Sequence, residues 1–205
     1  MKEQNPHDSI AEIRKMMENS TRFLSLSGFS GVVIGIYSMV AVFLFAHQHN
    51  FDFTHFDINS NLWFDPGFTK SALVYAVLLF AASLATSLLF SLRKSRKKKL
   101  PILSRVTRKL AFNFFTPLIV GVLICLYFLP NYGELILPFS LIFYGFALLF
   151  ASHYTFNTLK YFGLCQLVLG ILALYLPALQ LVFWTIGFGV LHIVYGLFMY
   201  FKFEK

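Results

Sequence analysis

The stretch SALVYAVLLFAASLATSLLFSLRKSRKKKLPILSRVTRKLAFNFFTPLIVGVLICLYFL, residues 71–129, decides the fold. Two apolar runs, 71–92 and 110–129, flank a segment, 93–109, crowded with Lys and Arg and free of acids. A helix needs roughly 17–25 apolar residues to cross the hydrocarbon core of a bilayer, and a charge at its centre costs about 2.5–3.5 kcal/mol. Both runs are near that length and hold no charged residue, so the cations between them must stay at one surface. Four further runs of the same kind, 23–46, 135–151, 161–176 and 179–201, predict an all-α polytopic transmembrane bundle of six spans.

Composition excludes a water-soluble fold. With 58% hydrophobic residues, 13% charged and 26 Phe in 205 positions, too little polar surface remains to cover a soluble domain. One domain is expected over 23–205, preceded by a cytoplasmic amphipathic helix over 1–22. In that helix Ser9 and Glu12 have capping-box spacing, and Ile10, Ile13, Met17 and Leu24 recur at helical intervals opposite Arg14 and Lys15. Glu3, Asp8, Glu12 and Glu18 in the leader, and the length of the first run, argue against a cleaved signal peptide.

Charge sets the expected orientation. Of seventeen Lys and Arg, only Lys70 falls on the side opposite both termini, which the positive-inside rule makes external. Both termini and the basic loop 93–109 are then cytoplasmic, in the inner cell membrane. Arg93, Lys94, Arg96, Lys97, Lys98 and Lys99 form a basic surface suited to anionic lipid headgroups or to a protein partner. Nucleic acid is excluded, because no recognition fold presents those charges.

The external loop 47–70 carries His47, His49, His55, Asp52 and Asp57, residue types that ligate divalent ions, but in no defined metal spacing. Its Phe51, Phe53, Phe56, Trp63 and Phe64 suit an interfacial cap, so no metal and no cofactor are expected. Cys125 and Cys165 lie within spans and read as packing residues.

Within the spans, Gly31 and Gly35 have the spacing that lets helix backbones approach closely, with Ser27 and Ser38 on the same face. Ala82, Ser83, Thr86 and Ser87 make a similar patch in the second span. A weak repeat, Val33–Ile36, Ile119–Val122 and Val168–Ile171, with Tyr144-Gly145 and Tyr195-Gly196 in returning spans, suggests three helical hairpins. His192, in GFGVLHIVYG, is the one clearly intramembrane ionisable group, and such a group needs a partner. Tyr195 lies one turn on, and Gly187 and Gly189 make room for a close neighbour. Asn113, Thr116, Tyr144, Gln166 and His192 are the polar groups available to line a pathway, which Pro117 and Pro138 could kink. No span carboxylate, no His-Glu-x-x-His helix, no nucleotide loop and no serine with a base is present, so no enzyme is expected.

The chain resembles an uncharacterised family of bacterial six-span integral membrane proteins. The resemblance rests on SLSGFSGVVIG after an I-R-K-M-M-E-x-S leader, the basic loop before the third span, Leu-Pro followed by Phe-Tyr-Gly, and the final GFGVLHIVYG. It covers nearly the whole chain. It implies no assigned activity, and a setting beside small winged-helix regulators that points to a regulatory or stress-linked role. The expected function is therefore a non-enzymatic sensor, regulatory or assembly component. The alternative is a small transporter or channel subunit with a small-molecule or lipid pathway near His192.

Overall fold

The computed structural model describes residues 27–50, 60–97 and 104–203. The expected helix over 1–22 lies outside the described residues, as do His55, Asp52, Asp57, Lys98 and Lys99. Among the described residues there is no strand, and six helical segments are long and apolar enough to cross a membrane. The chain is a multi-pass membrane protein built as an all-α bundle.

The first span is α1, Gly28–Gln48, and a 3₁₀ turn, Ser60–Phe64, leads into α2, Pro66–Lys97. The third is α3, Arg105–Phe128; the fourth is α4, Ile136–Ser152, entered through a 3₁₀ turn at Gly133–Leu135. The fifth is α5, Thr158–Tyr175. The sixth runs through a 3₁₀ turn at Pro177–Leu179, α6 at Gln180–Thr185, a π turn at Ile186–Val190, and α7 at Leu191–Phe203.

Local chemistry explains the ends. The Asp65 carboxylate accepts from the backbone N–H of Gly67 and Phe68 at 3.1 and 3.2 Å, with Pro66 at the first helical position, where no N–H is needed. The Ser104 hydroxyl accepts from the Thr107 N–H at 3.1 Å and opens α3. Pro138 sits in the first turn of α4, which tolerates it, and Pro117 lies inside α3 without ending it. The expected kink near a pathway is thus met by an ordinary helix start at Pro138.

Within the basic loop expected over 93–109, the described residues are helical apart from Ser104. Residues 93–97 continue α2 and 105–109 begin α3. Lys and Arg are good helix formers, so a run of cations ends immersion in lipid without ending the helix. At 1.5 Å per residue, the 32 residues of α2 reach roughly 48 Å, well past a bilayer core of about 30 Å.

In space the spans follow the order 2–1–6–5–4–3. Spans one and two, three and four, and five and six touch, as three hairpins require, while two and three lie at opposite ends of that order; the hairpins are knit together most extensively by α4 against α5 and α1 against α7. The Phe29 and Phe90 rings, 5.4 Å apart, place the start of α1 beside the end of α2, and Thr158 reaches Met199 at 3.4 Å. All described cations except Lys70 therefore share one end of the bundle.

The α1–α7 contact is backbone on backbone. A Cβ added at Gly31 would lie 3.1 Å from the Gly196 Cα, one at Gly35 would lie 2.6 Å from the Gly189 carbonyl, and one at Gly196 would lie 2.6 Å from the Val32 nitrogen. The Gly31/Gly35 face is thus an intramolecular seam with the sixth span. Across the other side of α1, the Tyr37 and Thr86 hydroxyls hydrogen-bond, using the small-residue patch on α2.

At the end opposite the cations, Trp63, Phe68, Val42 and Leu181 form a buried cluster. Trp63 lies directly over Gly133, so the 3₁₀ turn at Ser60–Phe64 is strapped onto the connection between spans three and four. This part of the loop is a structural cap. His49 is half-buried between the Phe45 and Phe68 rings and bonds the Ser71 hydroxyl at 2.7 Å. Among the described residues no group of three His, Cys, Asp or Glu could hold a metal ion.

Candidate functional site: a polar core at a π turn

In an α-helix the Leu191 N–H would bond the Gly187 carbonyl, four residues back; here it bonds the Ile186 carbonyl instead. The π turn thus takes the ordinary α-helical donor from Gly187, and in lipid a backbone acceptor must be satisfied from within the protein. Two side chains do so. Gln166 of α5 donates through Nε2 at 2.7 Å, and His192 donates through Nδ1 at 3.0 Å. A carbonyl only accepts, so this contact places the proton on Nδ1. With a neutral ring, Nε2 is then an acceptor, and the Tyr144 hydroxyl of α4 donates to it at 2.8 Å.

The result is a chain of three hydrogen bonds joining spans four, five and six. Two of the three are interhelical, and bonds of this kind contribute about 0.6 kcal/mol each on average, so the pair contributes roughly 1 kcal/mol. The effect on geometry is larger, because a stranded donor or acceptor at this depth costs as much again. Gln166 is fully buried and His192 only 5% exposed.

Aromatic rings close the space around His192. Tyr144 and Phe188 stack on it with ring centres at 5.5 and 5.8 Å, and Phe162 meets it edge-on at 4.8 Å. Phe162 in turn stacks on Tyr195 at 4.8 Å. Trp184 lies on Phe188 at 4.7 Å and donates to the Ser140 hydroxyl at 3.1 Å. A Cβ at Gly187 would meet Gln166 Oε1 at 2.5 Å and Leu141 Cδ2 at 2.6 Å, so only glycine fits beneath the amide.

Of the residues singled out from sequence, Tyr144, Gly187 and His192 share one cluster. Tyr195 borders it through Phe162, and its buried hydroxyl makes no hydrogen bond to His192. Gly31, Gly35 and Gly189 belong to the adjoining helix seam, where a Cβ at Gly189 would press on Met39. Asn113 and Thr116 do not join. Each spends its side chain on its own helix, donating to the carbonyls of Lys109 and Phe112 at 2.8 and 2.7 Å. Arg93, Lys94, Arg96 and Lys97 lie on the far extension of α2, apart from this cluster.

Sequence reading gave Gln166 no role beyond a pathway wall and missed Phe162, Phe188 and Trp184. The usable signal for Gln166 was its primary amide inside an apolar run, which requires a partner just as His192 does. The π turn had no signal beyond two glycines.

No protein-family profile, curated protein or solved structure matches the chain.

Proposed function

We propose that this chain is a non-enzymatic integral membrane protein, a sensor, regulatory or assembly component of the inner cell membrane, with both termini and the basic end in the cytosol. The observation that carries this reading is the closure of the His192 cluster: both ring nitrogens, and the ring itself, are engaged by the protein's own groups. A histidine engaged in this way fixes three helices relative to one another and presents no free ring nitrogen to a substrate; beside it Gln166 Oε1 is buried without a hydrogen-bond partner. The rival reading, a small transporter or channel subunit with a pathway at His192, would require that cluster to come apart, and the close ring packing counts against it.

The outward-directed chemistry is then electrostatic. α2 carries Arg93, Lys94, Arg96 and Lys97 beyond the bilayer on a continuous helix, and the sequence adds Lys98 and Lys99. At about 1 kcal/mol per cation near an anionic leaflet, such an extension holds headgroups or an acidic partner surface. The partner is a protein or a second copy of the chain.

The test is capture of partners by the full-length protein with Lys97, Lys98 and Lys99 each changed to Glu. Captured protein should fall about tenfold while membrane insertion and thermal stability stay unchanged. An unaltered set of partners would remove the docking role.

A further inference from the structure

α3 packs against span four and leaves a long face open. On that face Arg105, Arg108, Lys109, Phe112 and Asn113 follow one another at helical i, i+3, i+4, i+7, i+8 spacing and line a shallow depression of about 400 Å³. The same stripe continues through Thr116, Ile119, Val120 and Leu123, all exposed. Its chemistry changes with depth: three cations at the basic end, then an aromatic ring and an amide, then aliphatic side chains. The described carboxylates, Asp65 and Glu134, both sit at the opposite end of the bundle, so among the described residues no acid neutralises these cations.

We propose that this face binds one anionic glycerophospholipid lengthwise, its phosphate held by Arg105, Arg108 and Lys109 and its acyl chains lying along Phe112, Ile119 and Leu123. The gradient of the face repeats the gradient of such a molecule, anionic headgroup above and hydrocarbon below, at the depth where the apolar run of α3 begins. A second copy of the chain is a poorer occupant, because a two-fold contact on this stripe would set three cations against three. A soluble polyanion could reach Arg105 but not the aliphatic half. The site is separate from the α2 extension, so it does not depend on the docking role proposed for Arg93–Lys99.

Full-length protein in neutral detergent micelles, doped with phosphatidylglycerol or with phosphatidylcholine, tests this by native mass spectrometry. One phosphatidylglycerol should stay bound and resist exchange with phosphatidylcholine. Each cation at an anionic group is worth about fivefold in affinity, so R105Q/R108Q/K109Q should weaken retention about a hundredfold. K70Q, at an exposed cation on the opposite end of the bundle, should leave it within twofold. Inorganic phosphate at millimolar concentration should not displace the lipid, because it lacks the chains. Should the triple variant fail to fold, the single exposed change R108E should reduce retention at least tenfold. Retention of the lipid by the α3 variants, equal loss from the Lys70 variant, or full displacement by phosphate would each overturn the proposal.

Discussion

Deleting one oxygen atom, in Tyr144→Phe, tests whether the polar core holds the sixth span. The hydroxyl donates to His192 Nε2 at 2.8 Å, with the ring 5% exposed and its other nitrogen fixed on the Gly187 carbonyl. Removal forfeits an interhelical bond of about 0.6 to 1.7 kcal/mol. It also leaves Nε2 buried without a donor, at a cost of about 1 kcal/mol more. The expected destabilisation is roughly 1.5–2.5 kcal/mol. His192→Leu strands the Tyr144 hydroxyl and removes one of two donors from Gly187, for roughly 2–3 kcal/mol. In the double variant nothing is left stranded between them, so the losses should fall short of additivity by about 1 kcal/mol. Unfolding by SDS titration from mild-detergent micelles measures these values. Tryptophan fluorescence is a local reporter, because Trp184 stacks on Phe188 within the same cluster. A Tyr144→Phe protein within 0.3 kcal/mol of wild type, or strict additivity in the double variant, would refute the account.

The seam predicts a sharp asymmetry between neighbouring positions. Gly196→Leu drives a side chain into the Val32 and Gly28 backbones and should abolish stable folding, whereas Val194→Leu, on a 56% exposed lipid face, should change the melting temperature by less than about 2 °C. Asp65→Ala should cost about 1 kcal/mol through loss of the α2 cap, and Asp65→Asn should recover most of it in the same SDS titration. In a background with both native cysteines changed to Ala, Lys70→Cys should react with an impermeant thiol reagent from outside intact cells and Lys202→Cys only after lysis; the reverse pattern would invert the proposed topology. Nitrogen NMR on labelled His192 should show a proton on Nδ1 and none on Nε2.

How much of this was legible depends on what each residue has to satisfy. The spans were legible because lipid rejects charge, and the six uncharged runs match the six helical segments with ends moved by several residues. Gly31 and Gly35 were legible as a seam, since close approach leaves few other uses for that spacing, but their partner was not: nothing in α1 says that it meets Gly189 and Gly196 rather than another glycine. The helical state of 93–97 was hidden because a charge boundary looks like a structural boundary. Asn113 and Thr116 read as pathway residues because sequence cannot show a side chain bonded to its own preceding turn. His192 was correctly marked as needing a partner, and Tyr144 was marked too. The pairing between them, and the carbonyl that orients the ring, depend on a π turn, which follows from tertiary packing rather than from local propensity.

That turn amounts to one surplus residue in the last crossing. Each residue of a helix advances the direction of its side chain by about 100°, so a surplus of one rotates everything beyond it by that angle. Within the turn Gly187 is aimed at α5 and Gly189 at α1; beyond it Gly196 is aimed at α1 and His192 back toward α4. Excising any single residue between 186 and 190 would mend the interrupted ladder and yield a straighter, intrinsically sounder helix. It would also swing the distal half out of phase with both neighbours at once. The irregularity therefore works as a phase shifter, letting one rod present differently timed contacts to partners on two sides, and its repair would be more harmful than its presence.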